Sequence, residues 1–164
     1  MRYAAMRPID VSNGEGIGVA LFIQGCSIHC PGCFQPETWD FNGGELFEVN
    51  AMNRLLHYLD NPMIARFSIL GGEPLEDCNL YDLAKLIHIV KEYKQKIKIW
   101  LYTGYTVEQL RERIKNKKYS KYLKYILNNV DVLVAGPFKE ELKDPCLKWC
   151  GSCNQQIIYN HCHH

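Results

Sequence analysis

The apolar run Val19-Ala20-Leu21-Phe22-Ile23 leads almost directly into Cys26-Ser27-Ile28-His29-Cys30-Pro31-Gly32-Cys33, which carries three thiols at the spacing C-x3-C-x2-C. This junction constrains the fold more than any other stretch. A buried strand must end where one short loop can turn three sulfurs toward a common centre. A four-iron cube wants four thiolates, so a loop offering three leaves one iron open for another ligand. That suits a catalytic cluster better than a plain electron carrier. The rival reading is a structural zinc knuckle. Zinc takes four ligands, and the remaining donor, His29, lies between two cysteines and would strain the loop to serve.

The other cysteines sharpen the point. Of eight, Cys26, Cys30 and Cys33 form one group, Cys146, Cys150, Cys153 and Cys162 another, and Cys78 stands alone. Met1-Arg2-Tyr3 leads into mixed polar sequence without an apolar leader segment, so a cytoplasmic protein is expected. There, clustered thiols point to metals or redox chemistry rather than to a disulfide framework. No apolar run approaches a membrane span. With 19 basic and 18 acidic residues, the chain has no basic excess for a nucleic-acid backbone.

Strand-like and helix-like segments alternate along the 164 residues. Val19–Ile23, Phe67–Leu70, Ile97–Tyr102 and Val130–Val134 read as strands. Asn50–Leu59, Val107–Ile114 and Tyr119–Leu127 read as helices. The clearest helix carries Leu80, Leu83, Ala84, Ile87 and Val90 on one face, with Asn79 as its N-cap. The alternation predicts parallel strands joined by right-handed crossovers. Four units are too few for a closed barrel, and a partial (β/α) barrel with helices outside fits the count. Residues 1–145 are expected to form this domain, and 146–164 a Cys-rich tail packed on it or extending from it. The cysteine loop, Gly71-Gly72-Glu73, Thr103-Gly104 and Gly136 all follow strands and are expected to share one rim.

The cysteine spacing after a strand resembles the cluster loop of the radical S-adenosylmethionine (SAM) enzymes. The wider run from Gly25 through Cys33-Phe34 to Thr38-Trp39 resembles one branch, the activating proteins of anaerobic ribonucleoside-triphosphate reductases. Gly71-Gly72-Glu73-Pro74-Leu75, Trp100–Tyr105 and Leu147–Gln155 fit the same branch in the same order. The resemblance implies a partial barrel of the radical SAM type, with a [4Fe–4S] cluster on Cys26, Cys30 and Cys33. SAM would chelate the fourth iron. Its one-electron cleavage would give a 5′-deoxyadenosyl radical that takes hydrogen from a glycine of the reductase. Gly32, Cys33, Phe34, Gly71, Gly72, Glu73 and Thr103 are the implied SAM-binding positions, and a flavodoxin or ferredoxin the implied electron donor. Another glycyl-radical enzyme is an alternative target. A non-catalytic metal-binding protein with two cysteine knuckles is the alternative class.

Residue types also leave local alternatives. Glu73 could orient the SAM amino group or cap a turn. Phe34 could pack in the core, and Thr103 could close an ST-turn. Trp100, Tyr102 and Tyr105 are as well suited to packing as to cofactor contact.

The second group repeats C-x3-C-x2-C at Cys146, Cys150 and Cys153, followed by Cys162 within His161-Cys162-His163-His164. Here the chain departs from the family pattern: Cys150 and Gln156 stand where arginines are expected, and Ala135 where an aspartate is expected. The four thiols admit a second [4Fe–4S] cluster, a structural zinc with a histidine replacing one thiolate, or no metal.

Overall fold

The computed structural model describes residues 1–115, 118 and 120–160. Seven strands form one sheet in the order β3-β1-β2-β4-β5-β6-β7. They are β1 (Arg2–Asp10), β2 (Gly18–Ile23), β3 (Glu45–Leu46), β4 (Arg66–Gly71), β5 (Lys98–Thr103), β6 (Val132–Ala135) and β7 (Gln156–Tyr159). The described helices are α1 (Val49–Leu59), α2 (Leu80–Tyr93), α3 (Val107–Lys115) and α4 (Ser120–Asn129). Among the described residues no helix is long and apolar enough to cross a membrane.

The expected parallel partial (β/α) barrel is corrected by this sheet. The pairs β2–β4, β4–β5 and β5–β6 are parallel, but β1–β2, β1–β3 and β6–β7 are antiparallel. The architecture is therefore a mixed α/β sheet of seven strands. The three strands that change the class are those a hydrophobic pattern reveals least. β1 reads Arg-Tyr-Ala-Ala-Met-Arg-Pro-Ile-Asp and is mostly exposed, with register shifts after Tyr3 and Arg7. Its Pro8 lies beyond the two residues that pair with β3, where a missing N–H costs no ladder bond. β7 buries neither end, and β3 is two exposed residues.

Side chains alternate across the sheet, and the two faces differ. On one, Leu21, Phe67, Ile69, Ile99 and Leu101 pack with Leu55 and Leu59 of α1 and with the α2 stripe Leu80, Leu83, Ile87 and Val90. Asn79 occupies the α2 N-cap position, but its backbone is already helical and its side chain makes no cap. Its amide instead donates to the Glu73 carbonyl at 3.4 Å. Tyr119, expected to open the next helix, lies outside the described residues, and α4 runs from Ser120.

The other face carries Trp100, Val132 and Val134, packed with Tyr102, Trp149, Cys150 and Ile157. Beside them Arg66 is fully buried. Its guanidinium pairs with the Asp10 carboxylate at 3.0 Å and donates to the carbonyls of Asp10, Asn13, Glu15 and Gly16 and to the Ser68 hydroxyl. One planar fork thus fixes the whole loop between β1 and β2.

Candidate functional site

The carboxyl ends of β2, β4, β5 and β6 open onto one cavity of about 510 Å³. Backbone hydrogen bonds zip its loops together. Gly25 N–H donates to Thr38 O at 2.7 Å, Gly72 N–H to Ile23 O at 2.8 Å, and Glu73 N–H to Gly25 O at 2.8 Å. Ser27 donates through its N–H and its hydroxyl to Glu76 Oε1, tying the cysteine loop to the Gly-Gly loop.

Those contacts explain the two glycines. Gly71 has φ of +111°, and a Cβ there would lie 2.5 Å from Ile23 N. A Cβ at Gly72 would lie 2.4 Å from Gly25 O. Two strand ends meet backbone to backbone, which only glycine allows. Gly71→Ala is expected to lower stability by about 1–3 kcal/mol through strain alone. Urea unfolding would show the loss as a lower midpoint, and an unchanged midpoint would mean the loops yield freely.

Cys26, Cys30 and Cys33 all line the cavity. Each sulfur faces at least one backbone N–H: Cys26 those of Ile28 and His29, Cys30 that of Phe138, and Cys33 that of Gln35 at 3.4 Å. Burial pushes the Cys26 and Cys30 thiols up. An iron would offset that shift, since a coordinating thiol is deprotonated. Amide donors at sulfur are the surroundings that tune cluster thiolates. His29 has φ of +50° and stacks its ring on Trp39 at 4.4 Å, so it does not join the cysteines around the cavity. Among the described residues no three His, Cys, Asp or Glu side chains converge closely enough for a single ion. A cube, which spreads its thiolates over different irons, makes no such demand. The donor set fits a cluster better than a zinc knuckle.

Glu73 is 1% exposed and lines the cavity. Its carboxylate accepts from Leu75 N–H at 2.8 Å, Thr103 Oγ1 at 2.8 Å and Gly104 N–H at 2.7 Å. It therefore both caps the turn and joins the β4 loop to the β5 loop. The Thr103 hydroxyl donates here and accepts from Tyr105 N–H. Burial pushes Glu73 up to about 7 against the three donors that pull it down. Below about 4.5 both folded and unfolded chains hold the proton. Between that value and about 7 the unfolded chain ionises first, so stability falls as pH rises, by up to about 3 kcal/mol, then levels off. Urea unfolding of the apoprotein at pH 5 and pH 7.5 is expected to show this loss, and Glu73→Gln to shrink it. Equal pH slopes in both proteins would remove Glu73 as the cause.

The other predicted positions divide. Phe34 and Thr103 line the cavity with the Gly-Gly loop. Phe34 is 63% exposed, which excludes core packing, and its ring lies 4.9 Å from Phe138. Gly32 is outside the lining, exposed beside the Glu140 carboxylate. Ala135 is buried in β6 and Gln156 exposed on β7, neither in the lining. Among the described cysteines of the second group, Cys150 alone lines the cavity. Cys146 and Cys153 are exposed, and Cys162 with His161, His163 and His164 lies outside the described residues.

Sequence reasoning missed Arg7, Asn13 and Phe138 in the lining. Arg7 holds its guanidinium 4.6 Å from the centre of the Phe22 ring. No signal marked it, because β1 itself was illegible. Tyr102 also lines the cavity, and its buried hydroxyl has no hydrogen-bond partner among the described residues. A buried polar atom of this kind calls for a ligand or water.

Three thiols around one cavity at the carboxyl ends of the strands make a donor set that suits an iron–sulfur cluster. Residues 12–158 match the family model described as the 4Fe-4S single cluster domain, so that assignment spans most of the chain. Curated relatives narrow it. A Haemophilus influenzae protein is 36% identical over 96% of this chain and 97% of its own length. An Escherichia coli K12 protein is 33% identical over the same shares. A phage T4 protein is 34% identical over 98% of this chain and 95% of its own. All three are named anaerobic ribonucleoside-triphosphate reductase-activating protein. The chain belongs to the family of anaerobic ribonucleoside-triphosphate reductase-activating proteins.

Proposed function

We propose that this protein activates an anaerobic ribonucleoside-triphosphate reductase by radical SAM chemistry, installing a glycyl radical on it. Cys26, Cys30 and Cys33 hold a [4Fe–4S] cluster. Loaded with cluster and SAM, the site would supply one-electron chemistry able to break a carbon–sulfur bond and to draw a hydrogen atom from a glycine Cα. The remaining work belongs to the protein. The Gly71-Gly72 loop would offer bare backbone to the ammonium group of SAM. Glu73 and Thr103 fix that loop rather than reach the ligand, because their polar atoms are engaged with each other and with backbone N–H groups. Arg7 supplies a cation for a carboxylate, and the exposed Phe34 a flat surface for a base. A flavodoxin or ferredoxin supplies the electron.

The observation that carries this reading is the meeting of three thiols, each facing a backbone N–H, with the Gly-Gly loop in one cavity. Protein purified and reconstituted without oxygen, then reduced in the presence of SAM, is expected to hold about four irons. It is also expected to release methionine and 5′-deoxyadenosine. Zinc in place of iron, or full iron loading without SAM cleavage, would favour the non-catalytic metal-binding reading. SAM cleavage with radical transfer to a different glycyl-radical enzyme would change the partner and keep the chemistry. A second cluster or zinc on Cys146, Cys150, Cys153 and Cys162 would appear in the same assay as about four further irons or one zinc.

A further inference from the structure

The run Trp149-Cys150-Gly151-Ser152-Cys153 contains a C-x2-C pair that the cluster site does not use. In a thiol-reducing compartment that spacing is also the signature of a redox-active dithiol. The turn that carries it is tightly built. Trp149 has φ of +66°, a left-handed conformation uncommon outside glycine. Gln155 Oε1 accepts from Gly151 N–H at 2.8 Å and Ser152 N–H at 3.1 Å. The fully buried Ser152 accepts from Lys139 N–H at 3.1 Å, and Cys153 N–H donates to Leu142 O at 3.0 Å. The backbone is held, and the two sulfurs are left to react.

Their surroundings are unequal in a useful way. Cys153 is exposed, whereas Cys150 is half-buried, lines the cavity and packs beside Trp100, Val132 and Val134. Burial first, and then the nearby charge of Cys153, pushes the Cys150 thiol up, and the C-x2-C spacing puts both thiols on the one turn held by Gln155 and Ser152. Among the described residues Cys146 does not join them in a group able to hold an ion.

We propose that Cys150 and Cys153 form a reversible dithiol–disulfide couple in the wall of the cavity, exchanging with small dithiol and disulfide molecules. The exposed Cys153 thiolate attacks one sulfur of an incoming disulfide, forming a mixed disulfide and releasing one thiolate. Cys150 then attacks the Cys153 sulfur, closing the Cys150–Cys153 bond and releasing the second thiolate. The two protons lost by the cysteines end on the two released thiols. Two electrons pass from protein to disulfide, and a small dithiol reverses the exchange. Closing the bond locks the turn bearing Trp149, which packs edge-on against Trp100 at 5.9 Å and lines the cavity. The couple therefore sits in the cavity wall, beside the Trp149–Trp100 contact. The couple uses none of the cluster thiols and stands apart from the SAM reading.

The test equilibrates the full-length, anaerobically purified protein with graded mixtures of reduced and oxidised dithiothreitol. Free thiols are trapped by alkylation before tryptic digestion and mass spectrometry. Cleavage after Lys148 places Cys150, Cys153 and Cys162 on one peptide and Cys26, Cys30, Cys33, Cys78 and Cys146 on others. The expected oxidised peptide carries one alkyl label, on Cys162, and the reduced peptide carries three. The bond is expected to persist in Cys162→Ser and to vanish in Cys150→Ser and Cys153→Ser. Absence of the bond at every ratio would overturn the proposal. So would pairing with Cys162 or Cys146, or a metal ion on these thiols that Cys153→Ser releases.

Discussion

Replacing Cys30 by alanine is expected to reduce bound iron from about four per chain to below about one, with loss of all SAM cleavage. In the proposed site each of the three thiols lining the cavity would hold a different iron. A cube left with two protein ligands is exposed to solvent on half of its irons, and loop rigidity cannot supply a substitute. Cys30 is half-buried in a loop, so the apoprotein should fold as before, within about 1 kcal/mol. That separation makes the result decisive: iron disappears while the unfolding midpoint stays. Cys26→Ala and Cys33→Ala should behave alike, and Cys78→Ala, outside the cavity lining, should retain full iron. Retention of about four irons by any variant of the three would show that the cluster sits elsewhere.

The second large effect is expected at Arg66, which touches no proposed ligand. Arg66→Met should cost about 3–5 kcal/mol, because it leaves the Asp10 carboxylate buried without its partner. Against a total stability of about 5–15 kcal/mol this is a major fraction. Adding Asp10→Asn should recover part of the loss, since an uncharged pair no longer carries an unpaired buried charge. Ser12 and Asn13 line the cavity from the loop that Arg66 holds, so the surviving fold should also bind SAM more weakly. Gly14 and Gly18 leave room for the guanidinium: a Cβ on either would lie within 2.7 Å of an Arg66 side-chain atom. Urea midpoints of the single and double variants measure the coupling. A loss below about 1 kcal/mol for Arg66→Met would mean the loop holds without the fork.

The central strands and the helices were legible because burial writes a pattern into sequence. Val19–Ile23 is buried at every position, and the α2 stripe repeats with the helical period. The sheet class was illegible because β1, β3 and β7 are largely exposed and carry no such pattern. Their antiparallel pairing depends on long-range partners: Tyr3 opposite Ile23, and Leu133 opposite Ile158. The same physics divided the site. Cysteine spacing and Gly-Gly-Glu are local signals, and the cavity gathers those residues. Arg7 and the Arg66–Asp10 pair carry no local mark, because a buried ion pair joins residues 56 positions apart. The role of Glu73 was visible only as alternatives. Its three donors come from two different loops, and the turn-capping alternative describes only one of them.

The most direct measurement is electron paramagnetic resonance on frozen mixtures of the reduced, cluster-loaded protein, SAM and an anaerobic ribonucleoside-triphosphate reductase. The account predicts a carbon-centred signal split by a single α-hydrogen. The splitting should collapse when the reductase contains deuterated glycine, and the signal should be absent with Cys30→Ala. A fully iron-loaded protein that yields no such signal, while a related activating protein yields it under the same conditions, would contradict the account.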